Sequence, residues 1–254
     1  MIDLHCHLLP GVDDGSRSVE QSVRTLEAMR ATGTTAVCLT PHFSVGRIPR
    51  GLPPGHEQAF LDLQGQAPEG IDLHRGVELL LDRPVRPELL EHPELTLGGT
   101  RFILVEFTRM AAEVSIFNAL RQVVQLGLVP VLAHPERYSA CHPDSVRRWK
   151  AEGAVMQVDA TTLLSGRGRG QRARTLVSLG LADILAADNH GDDRQLAPAV
   201  AFLGERGGEV AADLLTRRNP EAILANGELE PVPPLELKTA LLDRIKNILA
   251  GDEE

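Results

Sequence analysis

The chain has 254 residues, a formal net charge of −9 and 43% hydrophobic residues, which fits one large domain or two small ones. No apolar run approaches the ~20 residues of a membrane span, the N-terminus lacks the basic and apolar segments of a signal peptide, and three cysteines are too few for a disulfide scaffold, so we expect a cytoplasmic protein without membrane insertion. The acidic balance, with six Phe, one Trp and one Tyr, argues against nucleic acid as a partner.

Short apolar runs of strand length alternate along the chain with segments patterned at helical spacing. The predicted strands are 2–6, 36–40, 72–77, 102–107, 129–133, 155–158 and 183–186. The predicted helices are 19–31, 56–64, 114–126, 144–152, 170–179, 196–206, 220–225 and 236–250, and residues 44–55 are predicted to be a loop over one barrel end. Such alternation implies parallel strands joined by crossovers. Without a Gly-x-Gly-x-x-Gly turn after the first strand, it predicts a (β/α) barrel that forms a single domain over residues 1–254.

Histidines and acidic residues gather at the C-terminal ends of the predicted strands, where barrel enzymes build their active sites. They are His5, His7, Asp14, His42, Glu78, Glu106, His134, Asp188 and His190, with Asp13 beside Asp14. Carboxylates and imidazoles that converge on one opening would repel one another or stay unpaired without cations between them. Five histidines and four acids exceed the coordination of one ion, so we predict two or three divalent ions, with manganese, zinc and iron all suited to mixed ligands.

Six motifs carry a family resemblance. They are the N-terminal segment with His-x-His at 5–7 and Gly-Val-Asp-Asp-Gly at 11–15, Thr-Pro-His at 40–42, Gly-Val-Glu at 76–78, Phe-Ile-Leu-Val-Glu-Phe at 102–107, Ala-His-Pro-Glu-Arg at 133–137 and Ala-Asp-Asn-His at 187–190. Over roughly residues 1–200 the chain resembles the polymerase-and-histidinol-phosphatase (PHP) superfamily, and within it the bacterial manganese-dependent tyrosine phosphatases of capsule and exopolysaccharide loci. The resemblance implies an α/β fold that is a distorted (β/α)7 TIM-like barrel, a manganese cluster, and phosphotyrosine on the tail of a cognate bacterial tyrosine kinase as the substrate.

The same resemblance distributes roles among the residues. One ion would be held by His5, His7, Glu78 and Asp188, a second by Glu78, Glu106 and His134, and a third by Asp14, His42 and His190. Arg137 matches an arginine of the family, and Arg194 approximates a second with a one-residue shift in spacing. Both would clamp the phosphoryl oxygens while a metal-bridging hydroxide attacks phosphorus in line. Asp13 and His42 are both candidates for the proton donor, and the sequence does not choose between them.

A basic segment, Ser-Gly-Arg-Gly-Arg-Gly-Gln-Arg-Ala-Arg at 165–174, follows the sixth predicted strand. One interpretation is a flexible loop that leads into a solvated helix face. The other is a basic surface on which Arg167 and Arg169 attract and bind the phosphorylated part of the substrate. Both interpretations stay open at the level of the sequence.

Other functions compete with metal-dependent dephosphorylation of tyrosine. Cys141 and Arg147 fit the Cys-x5-Arg pattern of thiolate phosphatases, but the segment has no glycine, Pro143 lacks an amide N–H, and Asp144, the predicted N-cap of the following helix, opposes an anion. A metal amidohydrolase would need a bridging lysine, and none of the three lysines ends a predicted strand. A PHP-type phosphoesterase acting on a small molecule such as histidinol phosphate, and a metal-stabilised binding protein without activity, are the remaining alternatives. The sequence predicts no oligomeric state.

Overall fold

A computed structural model of the protein describes residues 1–237. Its strands are β1 (Ile2–Cys6), β2 (Ala36–Leu39), β3 (His42–Ser44), β4 (Asp72–Arg75), β5 (Glu78–Leu80), β6 (Phe102–Glu106), β7 (Val129–Ala133), β8 (Val155–Asp159) and β9 (Ile184–Ala186). One sheet has the order β1-β2-β4 and the other the order β3-β5-β6-β7-β8-β9, and each neighbouring pair is parallel. The carboxyl ends of the strands therefore point in one direction.

Helices cover the outer faces of these sheets. They are α1 (Val19–Ala31), α2 (Pro54–Gln64), α3 (Glu113–Gln125), α4 (Pro143–Ala151), α5 (Ala160–Leu164), α6 (Gly168–Ser178), α7 (Ala197–Gly204), α8 (Glu209–Asp213) and α9 (Asn219–Leu224), with a π-helical turn over Leu214–Arg218. In α3, Ile116, Leu120 and Val123 recur at helical spacing and are fully buried, which fixes the face that packs on the barrel. Within residues 1–237 no helix combines the length and apolar character that crossing a membrane requires.

The barrel closes where β1 meets the chain that follows β9. The His7 backbone N–H donates to the carbonyl of Asn189 at 2.7 Å, and the Asp188 N–H donates to the carbonyl of His5 at 3.0 Å. Beneath this junction, the buried carboxylate of Asp3 accepts from the backbone N–H of Ala187 at 3.2 Å. Closure makes the last strand a neighbour of the first, so residues at the carboxyl ends of β1 and β9 share one site.

Two predicted strands are interrupted, and this distorts the barrel. The predicted strand 36–40 ends at Leu39, and its continuation β3 pairs in the other sheet; the predicted strand 72–77 likewise ends at Arg75 and resumes as β5. Pro41 cannot donate a ladder hydrogen bond. Gly76 lies so close to the side chains of Cys38 and Leu97 that a Cβ would meet them at 3.1 and 3.2 Å. The predicted α/β barrel with seven strand positions is confirmed, with two of those positions split between sheets.

Two local predictions are wrong. The predicted loop 44–55 contains a 3-10 helix, Val45–Arg50, in which the Ser44 side chain accepts from the Gly46 N–H, and α2 begins inside it at Pro54. The N-cap of α4 is His142 and not Asp144, because Pro143 occupies the first helical position, where its missing N–H costs no helical hydrogen bond. Helices α5 and α8 were not predicted. The predicted helix 236–250 lies outside the described residues beyond 237, and the single domain stays a prediction.

Candidate metal centre

All nine residues predicted as metal ligands meet at the carboxyl end of the barrel. Their ligand atoms form four groups within which all atoms lie within 4.8 Å of one another: His7, Asp14, His42 and His190; His5, Glu78 and His134; His5, His7 and Asp188; and His42, Glu78 and Glu106. Because the groups share members, we treat these nine residues as one ligand cluster. Glu106 and His134, which the resemblance assigns to one ion, fall in different groups, so the distribution of ligands among ions stays a prediction.

His5 in β1 and His7, which directly follows the strand, point their ring nitrogens at one another. Nδ1 of His5 lies 3.0 Å from the amide oxygen of Gln157, and Nδ1 of His7 lies 2.7 Å from a carboxylate oxygen of Asp13. Since both oxygens accept, each ring carries its proton on Nδ1 when neutral and presents a lone pair at Nε2. The two Nε2 atoms are only 3.1 Å apart. When both rings are neutral, these facing lone pairs repel one another, so a proton or a metal ion must lie between or beside them.

Glu78 lies at the centre of the ligand cluster and is 1% exposed. Its Oε1 is 2.9 Å from Nε2 of His134, whereas Oε2 is 3.0 Å from Nδ1 of His42 and 3.4 Å from Nε2 of both His5 and His7. Among the described residues, Oε2 makes no hydrogen bond of acceptable geometry. Burial opposes its charge, but the positive charge of His5 and hydrogen bonds from His134 hold the pKa of Glu78 well below its usual range. A buried anionic oxygen ringed by nitrogens fits a divalent cation.

Asp188 links the ligand cluster to two arginines. Its Oδ1 lies 3.3 Å from the Nε2 atoms of both His5 and His7. Its Oδ2 lies 2.5 Å from Nη2 of Arg137 and 3.6 Å from Nη1 of Arg194. Arg137 also contacts the carboxylate of Asp159, and Arg194 contacts Asp192 at 2.8 Å. The two arginines predicted to bind substrate are therefore held beside the candidate metal ligands.

Two residues of the ligand cluster have strained backbones. His134 directly follows β7 with a φ of 33°, and Asp188 follows β9 with a φ of 50°. Residues other than glycine rarely adopt this left-handed region, and such conformations concentrate at functional sites. The hydroxyl of Tyr138 donates to the carbonyl of Ala133 at 2.8 Å and so fixes the turn after β7. The strain re-aims both side chains from the strand direction into the opening of the barrel.

A pocket of about 310 Å³ lies above the cluster. Seven of the nine cluster residues line it, while His5 and His7 are buried beneath its floor. Its other lining residues are Phe107, Arg109, Arg137, Tyr138 and Arg194. A pocket of this size is at the small end of ligand sites and suits one phosphorylated side chain.

Comparison with known proteins matches the chain to one family over most of its length. Residues 1–225 match the family described as capsular polysaccharide synthesis, CpsB/CapC. The chain belongs to the CpsB/CapC family. It is 28% identical over 253 residues to the tyrosine-protein phosphatase YwqE of Bacillus subtilis, covering 94% of this chain and 97% of that protein. It is also 28% identical over 241 residues to the tyrosine-protein phosphatase CpsB of Streptococcus pneumoniae, covering 88% and 98%.

A solved structure has the same fold. A chain from the crystal structures of YwqE from Bacillus subtilis and CpsB from Streptococcus pneumoniae, which are called unique metal-dependent tyrosine phosphatases, matches with a TM-score of 0.77 at 23% identity. The match covers 94% of this chain and 100% of that one. The predicted membership of the tyrosine-phosphatase branch of capsule loci is confirmed as CpsB/CapC.

The two predicted proton donors lie in different surroundings. Asp13 is 6% exposed and lies behind His7, outside the pocket. Its carboxylate accepts from the backbone N–H groups of Gly15 at 3.0 Å and His42 at 3.1 Å. Although burial opposes the charge, the hydrogen bond from His7 lowers the pKa of Asp13 to about 2. These contacts suit a group that orients a ligand histidine, and the role of Asp13 as proton donor stays a prediction.

His42 lines the pocket and is 40% exposed. Burial lowers its pKa, but the neighbouring carboxylates of Glu106 and Glu78 outweigh burial and raise it to about 10. Because His42 also belongs to two groups of the ligand cluster, its roles as ligand and as proton donor both stay predictions.

Residues 165–167 of the basic segment form a short loop that leads into a helix, as one of the two interpretations expects, and the helix begins two residues before its predicted start. Helix α6 starts at Gly168, and Arg174 donates to the carbonyl of Ser165 at 2.7 Å. A Cβ at Gly170 would meet that carbonyl oxygen at 1.9 Å, so the glycine permits close packing. Arg169 is exposed in the first turn of α6. Arg167 precedes the helix, and its side chain makes no hydrogen bond or ion pair within residues 1–237, so its predicted contact with substrate is not tested.

Three residues at the site were missed by the sequence analysis. Gln157, which holds His5, is the one polar residue of the run Val155–Asp159 before its final aspartate. That aspartate, Asp159, directly follows the predicted strand 155–158 and pairs with Arg137. Arg109 follows β6 by three residues and lines the pocket. In each case the available signal was a polar side chain at or near the end of a parallel strand.

Cys141 is expected to be dispensable for activity. It does not line the pocket, is 2% exposed, and burial raises the pKa of its thiol to about 12, so it is not a thiolate near neutral pH. Arg147, which would complete the Cys-x5-Arg pattern, pairs with Asp144 at 2.7 Å on the exposed face of α4. Both Cys141→Ser and Arg147→Ala should keep wild-type kcat/KM per folded protein. A loss of activity in both, with folding confirmed by circular dichroism, would restore the thiolate mechanism.

The arrangement also disfavours an amidohydrolase with a bridging lysine. Lys150 is the one lysine within residues 1–237. It lies in α4 and pairs with Asp183, which precedes β9 and so sits at the amino end of the strands. No lysine of the described residues therefore reaches the ligand cluster.

Proposed function

We propose that the chain is a metal-dependent tyrosine-protein phosphatase of capsule synthesis, which hydrolyses phosphotyrosine at the ligand cluster. Tyrosine-protein phosphatase is the activity named for YwqE and CpsB, with which this chain shares almost its full length. The observation that carries the proposal is the pair of facing Nε2 atoms of His5 and His7, 3.1 Å apart and within 3.4 Å of the carboxylate oxygens of Glu78 and Asp188. Such an arrangement of nitrogen and carboxylate acceptors favours bound cations.

The four groups of the ligand cluster supply enough donors for two or three ions. Manganese is our first choice for a mixed nitrogen and oxygen donor set, with zinc or iron as alternatives. When bound, divalent ions at this site would lower the pKa of water and neutralise charge on the phosphoryl oxygens. His190 is prepared to be a ligand: its Nδ1 donates to the Asp188 carbonyl at 2.9 Å, which leaves Nε2 free to coordinate.

Arg137 and Arg194 bind the phosphoryl group in this proposal. Both line the pocket, and the carboxylates of Asp159, Asp188 and Asp192 hold their guanidinium groups in place. A planar guanidinium can donate two parallel hydrogen bonds to phosphate oxygens, and prior orientation reduces the entropy lost on binding. The phenolate leaving group has an ordinary pKa of ~10, so it needs less help from a proton donor than an alkoxide would.

The substrate that we propose is the phosphorylated tail of a bacterial tyrosine kinase that acts in the same capsule pathway. The family description supports capsule synthesis as the setting, and the exposed mouth of the pocket supports a protein chain in place of an enclosed metabolite. No observation favours a small-molecule phosphoesterase, so histidinol phosphate serves as a control substrate below.

Chelation is expected to abolish activity reversibly. Purified protein would be assayed on p-nitrophenyl phosphate, a phosphotyrosine peptide and histidinol phosphate after chelation and after manganese is added back, with metal content measured in parallel. We expect activity on the first two substrates to fall to background with the metal and to return with manganese, because the metal ions would lower the pKa of water and neutralise the phosphoryl charge.

Two results would contradict the proposal. Activity that survives complete metal removal would exclude the ligand cluster as the catalytic site. If the metal-loaded protein has no phosphatase activity, amide hydrolysis or a binding role becomes the better explanation of the site. A preference for histidinol phosphate would identify a small-molecule phosphoesterase.

A further inference from the structure

Arg109 in the pocket and Arg169 in the adjoining helix α6 lack carboxylate partners within residues 1–237. Arg109 lines the pocket and is exposed, and Arg169 is exposed in the first turn of α6. Within residues 1–237 neither side chain makes an ion pair or a hydrogen bond. Arg137 and Arg194, in contrast, are neutralised by aspartates. The mouth therefore carries positive charge that the protein itself does not balance.

The backbones that carry these two arginines are fastened to one turn. The carbonyl of Arg109 accepts from the N–H of Ser139 at 2.9 Å, which ties the segment after β6 to the segment after β7. Nε of Arg172, one turn along α6 from Arg169, donates to the carbonyl of Glu136 at 2.8 Å. Both arginines are thus anchored beside the 3-10 turn Pro135–Arg137, which also positions Arg137 in the pocket.

This placement concentrates positive charge around Arg169. Burial and the nearby positive charges of Arg109, Arg137 and Arg172 lower the pKa of Arg169. Its position in the first turn of α6 adds repulsion from the positive end of the helix dipole, and that turn has no acidic residue. The protein has a net charge of −9, but the arginines without carboxylate partners beside the pocket create a local positive potential that attracts anions.

We propose that Arg109 and Arg169 form a second anion site, which binds a negatively charged group of the substrate protein beside its phosphotyrosine. The group is an oxyanion on the same chain, either the carboxylate of an acidic residue or a second phosphate. The inference rests on the proposed function, because a phosphotyrosine seated in the pocket brings its flanking residues across the mouth where these arginines lie. The arginines act in recognition and not in the chemical step.

Equilibrium binding tests the proposal without requiring turnover. Metal-loaded protein would be titrated with fluorescent peptides that carry a non-hydrolysable phosphonate mimic of phosphotyrosine. One peptide has neutral flanking residues, a second has glutamates at the flanking positions, and a third has a second phosphorylated residue there. Each is measured with wild type, Arg109→Ala, Arg169→Ala and the double variant, at low and at physiological salt.

Wild type should bind at least one of the two anionic peptides about 10-fold more tightly than the neutral one, which corresponds to about one charge-assisted hydrogen bond. Each single variant should reduce that preference, and the double variant should remove it while keeping the affinity for the neutral peptide. The stronger of the two anionic peptides identifies carboxylate or phosphate as the ligand.

Arg30→Ala is the matched control. Arg30 is an exposed arginine in the last turn of α1, on the side of the barrel that leads into the amino end of β2. The substitution Arg30→Ala removes the same charge from the whole protein without changing the mouth of the pocket. The variant should therefore keep the preference for anionic peptides.

The outcomes separate this inference from the proposed function. Equal binding of all three peptides by wild type, or an unchanged preference in the double variant, would overturn the second anion site even if phosphotyrosine is hydrolysed. An equal loss of affinity for neutral and anionic peptides would also overturn it, because the arginines would then serve the pocket itself. A preference that depends on both arginines, in protein that fails to hydrolyse phosphotyrosine, would support the site and reject the phosphatase.

Discussion

Glu78→Gln should lower kcat/KM for phosphotyrosine peptides by at least about 10³-fold, which corresponds to about 4 kcal/mol of transition-state stabilisation. Glu78 is the residue through which two of the four ligand groups are joined, and its two oxygens face four different histidines. Glutamine preserves the shape of the side chain but removes its charge and places an N–H₂ group against imidazole nitrogens. The metal content per chain should fall with the activity.

Glu94→Gln provides the matched control. Glu94 also faces a histidine, His92, at 2.9 Å, but both side chains are partly exposed and lie away from the pocket. An exposed pair of this kind contributes little, so activity and metal content should be unchanged. Full activity in a folded Glu78→Gln protein with a normal metal content would show that the centre of the cluster has been assigned to the wrong residue.

The ligand cluster was predictable because it depends on strand direction and residue type. Parallel strands joined by helices bring their carboxyl ends together, so His5, Glu106 and His134 could be assigned to one site although they are far apart in sequence. No knowledge of side-chain contacts was needed for that step. The same argument would have reached Asp159 if the predicted strand 155–158 had been extended by one residue.

The contacts that orient the ligands were not predictable from local pattern. Gln157 lies 152 residues from His5 along the chain, and only the closed barrel brings their side chains to 3.0 Å. The bond between Asp13 and His7 is local, yet the sequence equally allowed Asp13 to face the substrate. Proton positions on the ligand histidines follow from these partners, so the argument for facing lone pairs required the structure.

The ambiguous glycines also needed tertiary contacts to be understood. Glycines favour loops, so the sequence of segment 165–174 allows a loop as one interpretation. In the structure Gly170 lies against the carbonyl of Ser165, where no Cβ fits, and the helix begins two residues earlier. Similarly, Pro41 and Gly76 are visible in the sequence, but the shift of the following strands into the other sheet depends on the packing of their neighbours.

Arg137→Lys is expected to lower kcat/KM for phosphotyrosine by about 10²-fold, the lower end of the effect of removing one positioned hydrogen-bond donor. Lysine keeps the positive charge beside Asp188 and Asp159 but loses the planar fork that can hold those carboxylates and a phosphoryl oxygen together. A shorter substitution would also leave two nearly buried carboxylates without their partner, at a cost of about 3–5 kcal/mol in stability, so lysine is the cleaner test. Thermal unfolding should confirm that the variant is folded.

Arg217→Lys controls for the exchange itself. Arg217 holds Asp213 through two hydrogen bonds of 2.6 and 2.7 Å, but the pair is exposed on the turn after α8, so its loss should leave activity unchanged. Arg194→Lys then decides how the phosphoryl group is bound. A large loss at Arg137 and a smaller one at Arg194 would agree with the contact distances to Asp188, which are 2.5 and 3.6 Å. The reverse order would make Arg194 the principal phosphate ligand and would leave Arg137 as the residue that positions Asp188 in the ligand cluster.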